Sequence, residues 1–143
     1  MVHPPFIGKP LHTNQFSVMS EDTRHKLGAW GEEQAAFYLE NRGYRIIERG
    51  FHCPFGEIDL IAGFADELIF CEVKTRRQGA LSTPQEAVSI TKQRRLLKTA
   101  AWYLNQHPWD GDLRFDVIAI IARKTGFEIL EIEWFQDAFS GEL

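Results

Sequence analysis

Four charged side chains stand where two strands should be apolar: Glu57 and Asp59 in Gly56-Glu57-Ile58-Asp59-Leu60-Ile61, and Glu72 and Lys74 in Phe70-Cys71-Glu72-Val73-Lys74. Alternation along a strand puts Glu57 and Asp59 on one face and Ile58 and Leu60 on the other, and it pairs Glu72 with Lys74. Taking a carboxylate out of water is costly unless it is paired or binds a metal, so acids on neighbouring inner strands call for a cation. Asp59 and Glu72 are therefore the expected ligands of Mg²⁺ or Mn²⁺, hard ions that take oxygen donors and leave positions for water and a phosphate. Lys74, beside that ion, can orient or deprotonate an attacking water, because burial and a nearby cation lower the pKa of a lysine. Such a set suits phosphodiester hydrolysis, which needs charge neutralisation, a positioned water and a stabilised leaving oxygen.

Two helical patterns supply further candidates. Gly28, Gly31, Ala35 and Leu39 fall on one stripe, and glycine inside a helix costs about 1 kcal/mol relative to alanine, so something is expected to approach that face closely. Glu32 lies at the edge of the stripe and is the candidate third acid, acting through a second metal or a bound water. Glu33 points outward. The bland alternative for Glu32 is an exposed glutamate without a role. In the second helix Gln93, Leu97, Ala101 and Leu104 form the expected core-facing line, with Gln93 turned toward the sheet. Arg94 and Lys98, one turn apart on an adjacent line, can contact phosphate, as can Arg76 beyond Lys74. A satisfied core amide with solvated basic neighbours is the competing account of Gln93, Arg94 and Lys98.

The elements that must position these residues follow in the order α-β-β-β-α-β-β. A helix is expected from about Asp22 to Arg42, stopped by Gly43 in the left-handed conformation. Strands are expected over Tyr44 to Phe51, Glu57 to Ala62 and Leu68 to Lys74, with turn residues between them. A polar loop through Gly79 and Ser82 leads to a helical pattern from Pro84 to about Gln106, interrupted near Ser89. Leu113 to Ile121 and Phe127 to Trp134 complete the set, joined by a hairpin turn at Lys124-Thr125-Gly126. Residues 1–19, with Pro4, Pro5, Gly8 and Pro10, read as a flexible leader, and Met19 competes with Met1 as the natural start. Residues 20–143 are expected to form one domain.

With 143 residues, 44% hydrophobic and 25% charged, the chain can bury one sizeable core. The net charge of -4 hides an asymmetry: residues 74 to 98 hold seven Lys and Arg against Glu86 alone, a local +6 that leaves about -10 for the rest. A basic segment beside the Glu72-Lys74 strand can track a phosphate backbone, or it can be a solvated helix face. Cys53 and Cys71 do not suggest a disulfide scaffold, and His52 with Cys53 lacks the second pair a zinc site needs. No membrane-length apolar run or secretion signal is read in the sequence, so a cytoplasmic protein is expected. Trp30, Trp102, Tyr103 and Trp109 read as packing residues rather than base-stacking platforms. No phosphate-binding glycine loop or dinucleotide fingerprint occurs.

The arrangement Asp59…Glu72-Val73-Lys74 resembles the PD-(D/E)xK nuclease superfamily. The longer run Gly28-x-x-Gly31-Glu32-x-x-Ala35, Arg42-Gly43-Tyr44, Gly56 to Ile61, Glu72-Val73-Lys74-Thr75-Arg76, Lys92-Gln93-Arg94 and Arg114-Phe115-Asp116-Val117 is similar to the bacterial YraN-type family, itself similar to archaeal Holliday-junction resolvases. The likeness covers roughly residues 24 to 138. It implies an α/β fold of the α+β mixed-sheet kind: a restriction-endonuclease-like αβββαβ core with an additional C-terminal strand. It also implies Asp59 and Glu72 as metal ligands, Lys74 as catalytic lysine and Glu32 as the first-helix acid. Ile58 stands where many superfamily members have proline, which removes no ligand. The combined expectation is a metal-dependent nuclease acting on DNA, branched or structured forms included, with a homodimer suggested by the resolvase likeness. The alternatives are a non-catalytic nucleic-acid-binding or partner-binding module of the same fold, and a mere ion-pair network.

Overall fold

The computed structural model describes residues 20–79 and 88–141. The leader and the helical pattern expected from Pro84 to the residue before Val88 lie outside them. Helix α1 spans Glu21–Glu40, strands β1, β2 and β3 span Arg45–Cys53, Gly56–Phe64 and Glu67–Arg77, helix α2 spans Ile90–Gln106, and β4 and β5 span Asp112–Ala122 and Ile129–Phe139. The expected order is reproduced; every strand runs past its expected end, while β1 starts one residue and β5 two residues later than expected.

Local chemistry explains the boundaries. The Ser20 hydroxyl accepts from the Thr23 N–H at 3.1 Å, satisfying an amide at the start of α1 that has no helical partner. Gly43, at φ +94, ends the turn and lets Tyr44 N–H reach Leu39 O at 3.1 Å. The interruption expected near Ser89 is a helix start: its hydroxyl accepts from Lys92 N–H at 3.2 Å. Gly126, at φ +75, turns the connection between β4 and β5.

The five strands form one mixed sheet in the order β1-β2-β3-β4-β5. Neighbours run antiparallel except β3 and β4, which are parallel and need the crossover that carries α2. Alternation along the strands builds two cores. Leu60, Ala62, Ile69, Cys71, Val73, Ile118 and Ile120 pack against Ala35, Ala36 and Leu39 of α1. Ile58, Ile61, Leu68, Phe70, Phe115 and Val117 pack against Leu96, Ala100 and Tyr103 of α2. The sheet is thus covered on both faces, and the charged residues its central strands carry gather in two places.

A buried polar clamp ties the strands together at one of them. Asp116 is 1% exposed. Its carboxylate accepts two guanidinium bonds from Arg114 at 2.9 Å each, the Trp134 indole N–H at 2.8 Å and the Asp137 amide at 2.8 Å. Arg114 also reaches Glu67 at 2.6 Å, and the Tyr44 hydroxyl donates to the other Glu67 oxygen at 2.7 Å. Every acceptor on Asp116 is used, which is how a buried charge is tolerated. The Arg114-Phe115-Asp116-Val117 motif therefore has a structural role. No helix among the described residues is long and apolar enough to cross a membrane.

Candidate functional site

The ladder between β2 and β3 runs from Phe64 opposite Glu67 to Leu60 opposite Cys71, and there it stops. One residue further, the Asp59 carboxylate rather than a backbone carbonyl accepts the Val73 N–H, at 2.8 Å. Asp59 is thereby turned edgewise into the gap where the two strands part. Gly50, at φ +60, lies between the pairs Arg49–Leu60 and Phe51–Ile58 and so faces Asp59 from β1. The simple alternation expected for this segment fails here, because Ile58 packs in the α2 layer and Leu60 in the α1 layer. A residue lodged between the strands shifts the phase of its neighbours.

Acids and amines reach this opening from both layers. Glu32 of α1 comes up against the Asp59 carboxyl, close enough for the two acids to share a proton. Glu72 of β3, 5% exposed, holds the ammonium of Lys92 at 2.6 Å and that of Lys74 at 3.7 Å, both through Oε2. Gly56, Glu57, Asp59, Glu72, Lys92 and Arg95 line a hollow of ≈ 200 Å³. Burial, then the charge of Glu72, pushes Asp59 up to about 8, against the pull of the Val73 amide and with Glu32 and Glu57 adding to the rise. Burial also raises Glu32, again against a lowering hydrogen bond to Asp59. Lys74 is lowered by burial and by the neighbouring Lys92 charge. Burial would lower Lys92 too, but its hydrogen bond to Glu72 prevails and leaves it raised. The two lysines share one carboxylate unequally: Lys92 makes the close contact, and Lys74 is the easier to deprotonate.

Among the described residues no three His, Cys, Asp or Glu side chains stand where they could hold a metal by themselves. The available donors are the two strand carboxylates, Asp59 and Glu72, with Glu32 behind them. All are hard oxygen donors, and Asp59 is half-buried beside like charges that one cation would relieve. That set fits Mg²⁺ or Mn²⁺ bound by a pair of carboxylates with water completing the shell. A mostly aqueous shell also suits the small size of the hollow.

Glu32, Asp59, Glu72 and Lys74 are thus brought together. Arg76 lies two residues beyond Lys74 on the same face of β3, half-buried. Gln93 is half-buried but spends its amide on Val88 O at 3.0 Å, at the first turn of α2. Arg94 and Lys98 lie on the exposed side of α2, and neither is among the residues lining the carboxylate hollow. The buried line of α2 is Leu96, Thr99, Ala100 and Tyr103 rather than the expected line through Gln93 and Leu97. That shift of one position brings Lys92, one turn before Leu96, onto the sheet-facing side. Lys92 is the site residue that sequence reasoning missed, and the helical phase counted back from Tyr103 would have found it.

Two other expectations change. On α1 only Gly31 is held to glycine by a close approach, since a Cβ there would overlap the Thr75 hydroxyl; a Cβ on Gly28 meets nothing within 4 Å. Glu33 is exposed as expected, 3.6 Å from Arg49. Of the aromatics read as packing residues, Tyr103 is buried, whereas Trp102 is 38% exposed.

A family model described as an uncharacterised protein family, UPF0102, matches residues 31–120, a span that contains Glu32, Asp59, Glu72, Lys74 and Lys92. A UPF0102 protein of Syntrophotalea carbinolica is 47% identical over 117 residues, covering 81% of this chain and 93% of that protein. One of Marinobacter nauticus is 42% identical over 125 residues, covering 87% of this chain and all of the relative. A third, of Syntrophus aciditrophicus, is 44% identical over 115 residues, covering 80% and 88%.

Proposed function

This chain belongs to UPF0102, the YraN-type family, and we propose that it is a metal-dependent nuclease that hydrolyses phosphodiester bonds in DNA. The observation that supports this most is Asp59: a half-buried carboxylate pushed up to about 8, aimed into a gap in the sheet and crowded by Glu72 and Glu32. A fold keeps so unfavourable an arrangement where a function needs it.

Asp59 and Glu72 would hold Mg²⁺ or Mn²⁺, which when bound supplies charge neutralisation and polarises a phosphoryl oxygen. The remaining work falls to the chain's own side chains. Lys74, lowered by burial and by Lys92, can exchange a proton with the attacking water more readily than an ordinary lysine. Glu32 stands against the Asp59 carboxyl, where the two can share one proton. Lys92, on the α2 side of the same hollow, offers a second ammonium to the charge developing on the phosphate. Arg76, Arg94 and Lys98 would guide the backbone of the substrate.

Purified protein incubated with branched, flapped, single-stranded and duplex DNA, with Mg²⁺ or Mn²⁺, tests the proposal. Cleavage that disappears in Asp59→Ala, Glu72→Ala and Lys74→Ala supports it; cleavage undiminished in these variants refutes the assignment. The 2.6 Å contact of Lys92 with Glu72 favours a second reading, in which the protein's own ammonium takes the cation's place and the domain binds nucleic acid without cutting it. Salt-sensitive binding without turnover on every substrate and metal would select that reading.

A further inference from the structure

The turn between β1 and β2 and the outer face of α2 enclose an open depression of ≈ 670 Å³ next to the carboxylate hollow, lined by Phe55, Lys98, Ala101, Trp102, Leu104 and Asn105. Phe55 is 44% exposed and Trp102 38%, and their rings stand edge to face with centroids 6.0 Å apart. Lys98 Nζ sits 5.6 Å above the Phe55 ring. Two large aromatics left this open gain little by packing on each other alone. Their surroundings are cationic: α2 carries Lys92, Arg94, Arg95 and Lys98 and no acid. Arg94, Lys98 and Trp102 recur every fourth residue on one exposed line of the helix.

The depression borders the hollow through neighbouring residues of the turn and of α2. Gly56, which follows Phe55, and Arg95, one turn before Lys98, both line the carboxylate site. From Lys92 to Trp102 the helix rises ~15 Å, the length of about four stacked nucleotides. We infer that Phe55 and Trp102, with Lys98 and Arg94, form a stacking platform for the unpaired bases of a single-stranded DNA segment whose backbone leads into the carboxylate site. Aromatic faces take any base, and the cations beside them take its phosphates. Base faces inside a duplex are already stacked on one another, so the platform discriminates between paired and unpaired DNA. This deepens the proposed nuclease reading and rests on it only for the destination of the strand.

The test is fluorescence anisotropy of a labelled oligothymidylate and of a labelled duplex of equal length, titrated with the full chain without divalent metal. Trp102→Ala and Phe55→Ala are expected to weaken single-strand binding by about 5- to 100-fold, with duplex binding changed less than twofold. Trp102→Phe, which keeps an aromatic face, should restore most of the loss. Equal losses on both probes, or no loss on the single strand, overturn the platform. So does a change of sedimentation from dimer to monomer in Trp102→Ala without a change in binding, which makes the patch an interface between copies. Cleavage of the same probes with Mn²⁺ is read in parallel. Stacking-dependent binding without cleavage supports the platform while removing the nuclease, and cleavage that ignores Trp102 and Phe55 does the reverse.

Discussion

Replacing Asp59 by Asn should stabilise the metal-free protein, by an amount that grows with pH. In the unfolded chain Asp59 releases its proton near the ordinary value of 3.8, whereas in the fold it keeps the proton until about 8. Between these values the folded state binds more protons than the unfolded one, so stability falls as pH rises. At pH 7 the difference reaches up to about 4 kcal/mol. Burial is the larger cause and the charges of Glu72 and Glu32 add to it; because these acids titrate together with Asp59, the neutral Asn recovers about half of the difference, ~2 kcal/mol. The Asn oxygen can still accept the Val73 amide, which keeps the strand geometry. For a chain of this size the gain corresponds to a melting temperature about 5–8 °C higher at pH 7. It should shrink toward zero near pH 4 and level off above pH 8. Thermal melts in chelator across this range measure the effect. Repeating them with Mn²⁺ should raise the parent and leave Asp59→Asn unchanged. A variant no more stable than the parent at pH 7 to 8, or an offset that ignores pH, would show that Asp59 carries no stored charge repulsion.

Other outcomes follow from the same contacts. Lys92→Met removes the closest cation from Glu72 and, with Lys92 one-third exposed, should cost about 1–3 kcal/mol without metal; the Mn²⁺-dependent rise in melting temperature should grow, and an unchanged rise would contradict competition between Lys92 and a metal for Glu72. Asp116→Ala leaves Arg114 buried without its main partner and should lose about 3–5 kcal/mol, read by urea unfolding. Gly31→Ala should destabilise by about 1–3 kcal/mol through its overlap with Thr75, while Gly28→Ala, in open space, should be neutral or gain up to about 1 kcal/mol; similar effects at both positions would refute the packing of α1 on β3.

Period, turn residues and caps made the element order legible in the sequence, because they act within a few residues of one another. Gly43 announced the end of α1 and polar turns marked the strands, whereas Ser89, read only as an interruption of a pattern from Pro84, is the cap that starts α2. The pairing of Asp59 with Glu72 was also legible, since charged residues in apolar strands are rare. Less visible was how Asp59 reaches the site. Its side chain replaces a carbonyl in the ladder, an event decided by where two strands part, and no local pattern records that. Lys92 was missed for a related reason: α2 carries apolar residues on adjoining lines, so Leu97 and Leu104 suggested a phase one position from the true one. The Arg114–Asp116 clamp joins residues far apart in the chain. Its motif could be noticed but not assigned.

The bond from Val73 N–H to Asp59 gives one side chain two duties, sealing the backbone where the strands separate and supplying charge to the opening. A shorter or apolar replacement would strand that amide inside the protein, but a neutral acceptor of the same shape would not. On the proposed nuclease reading, a relative that had lost catalysis under continued selection for folding would tolerate Asn at this position best, with the backbone seal intact and the charge gone.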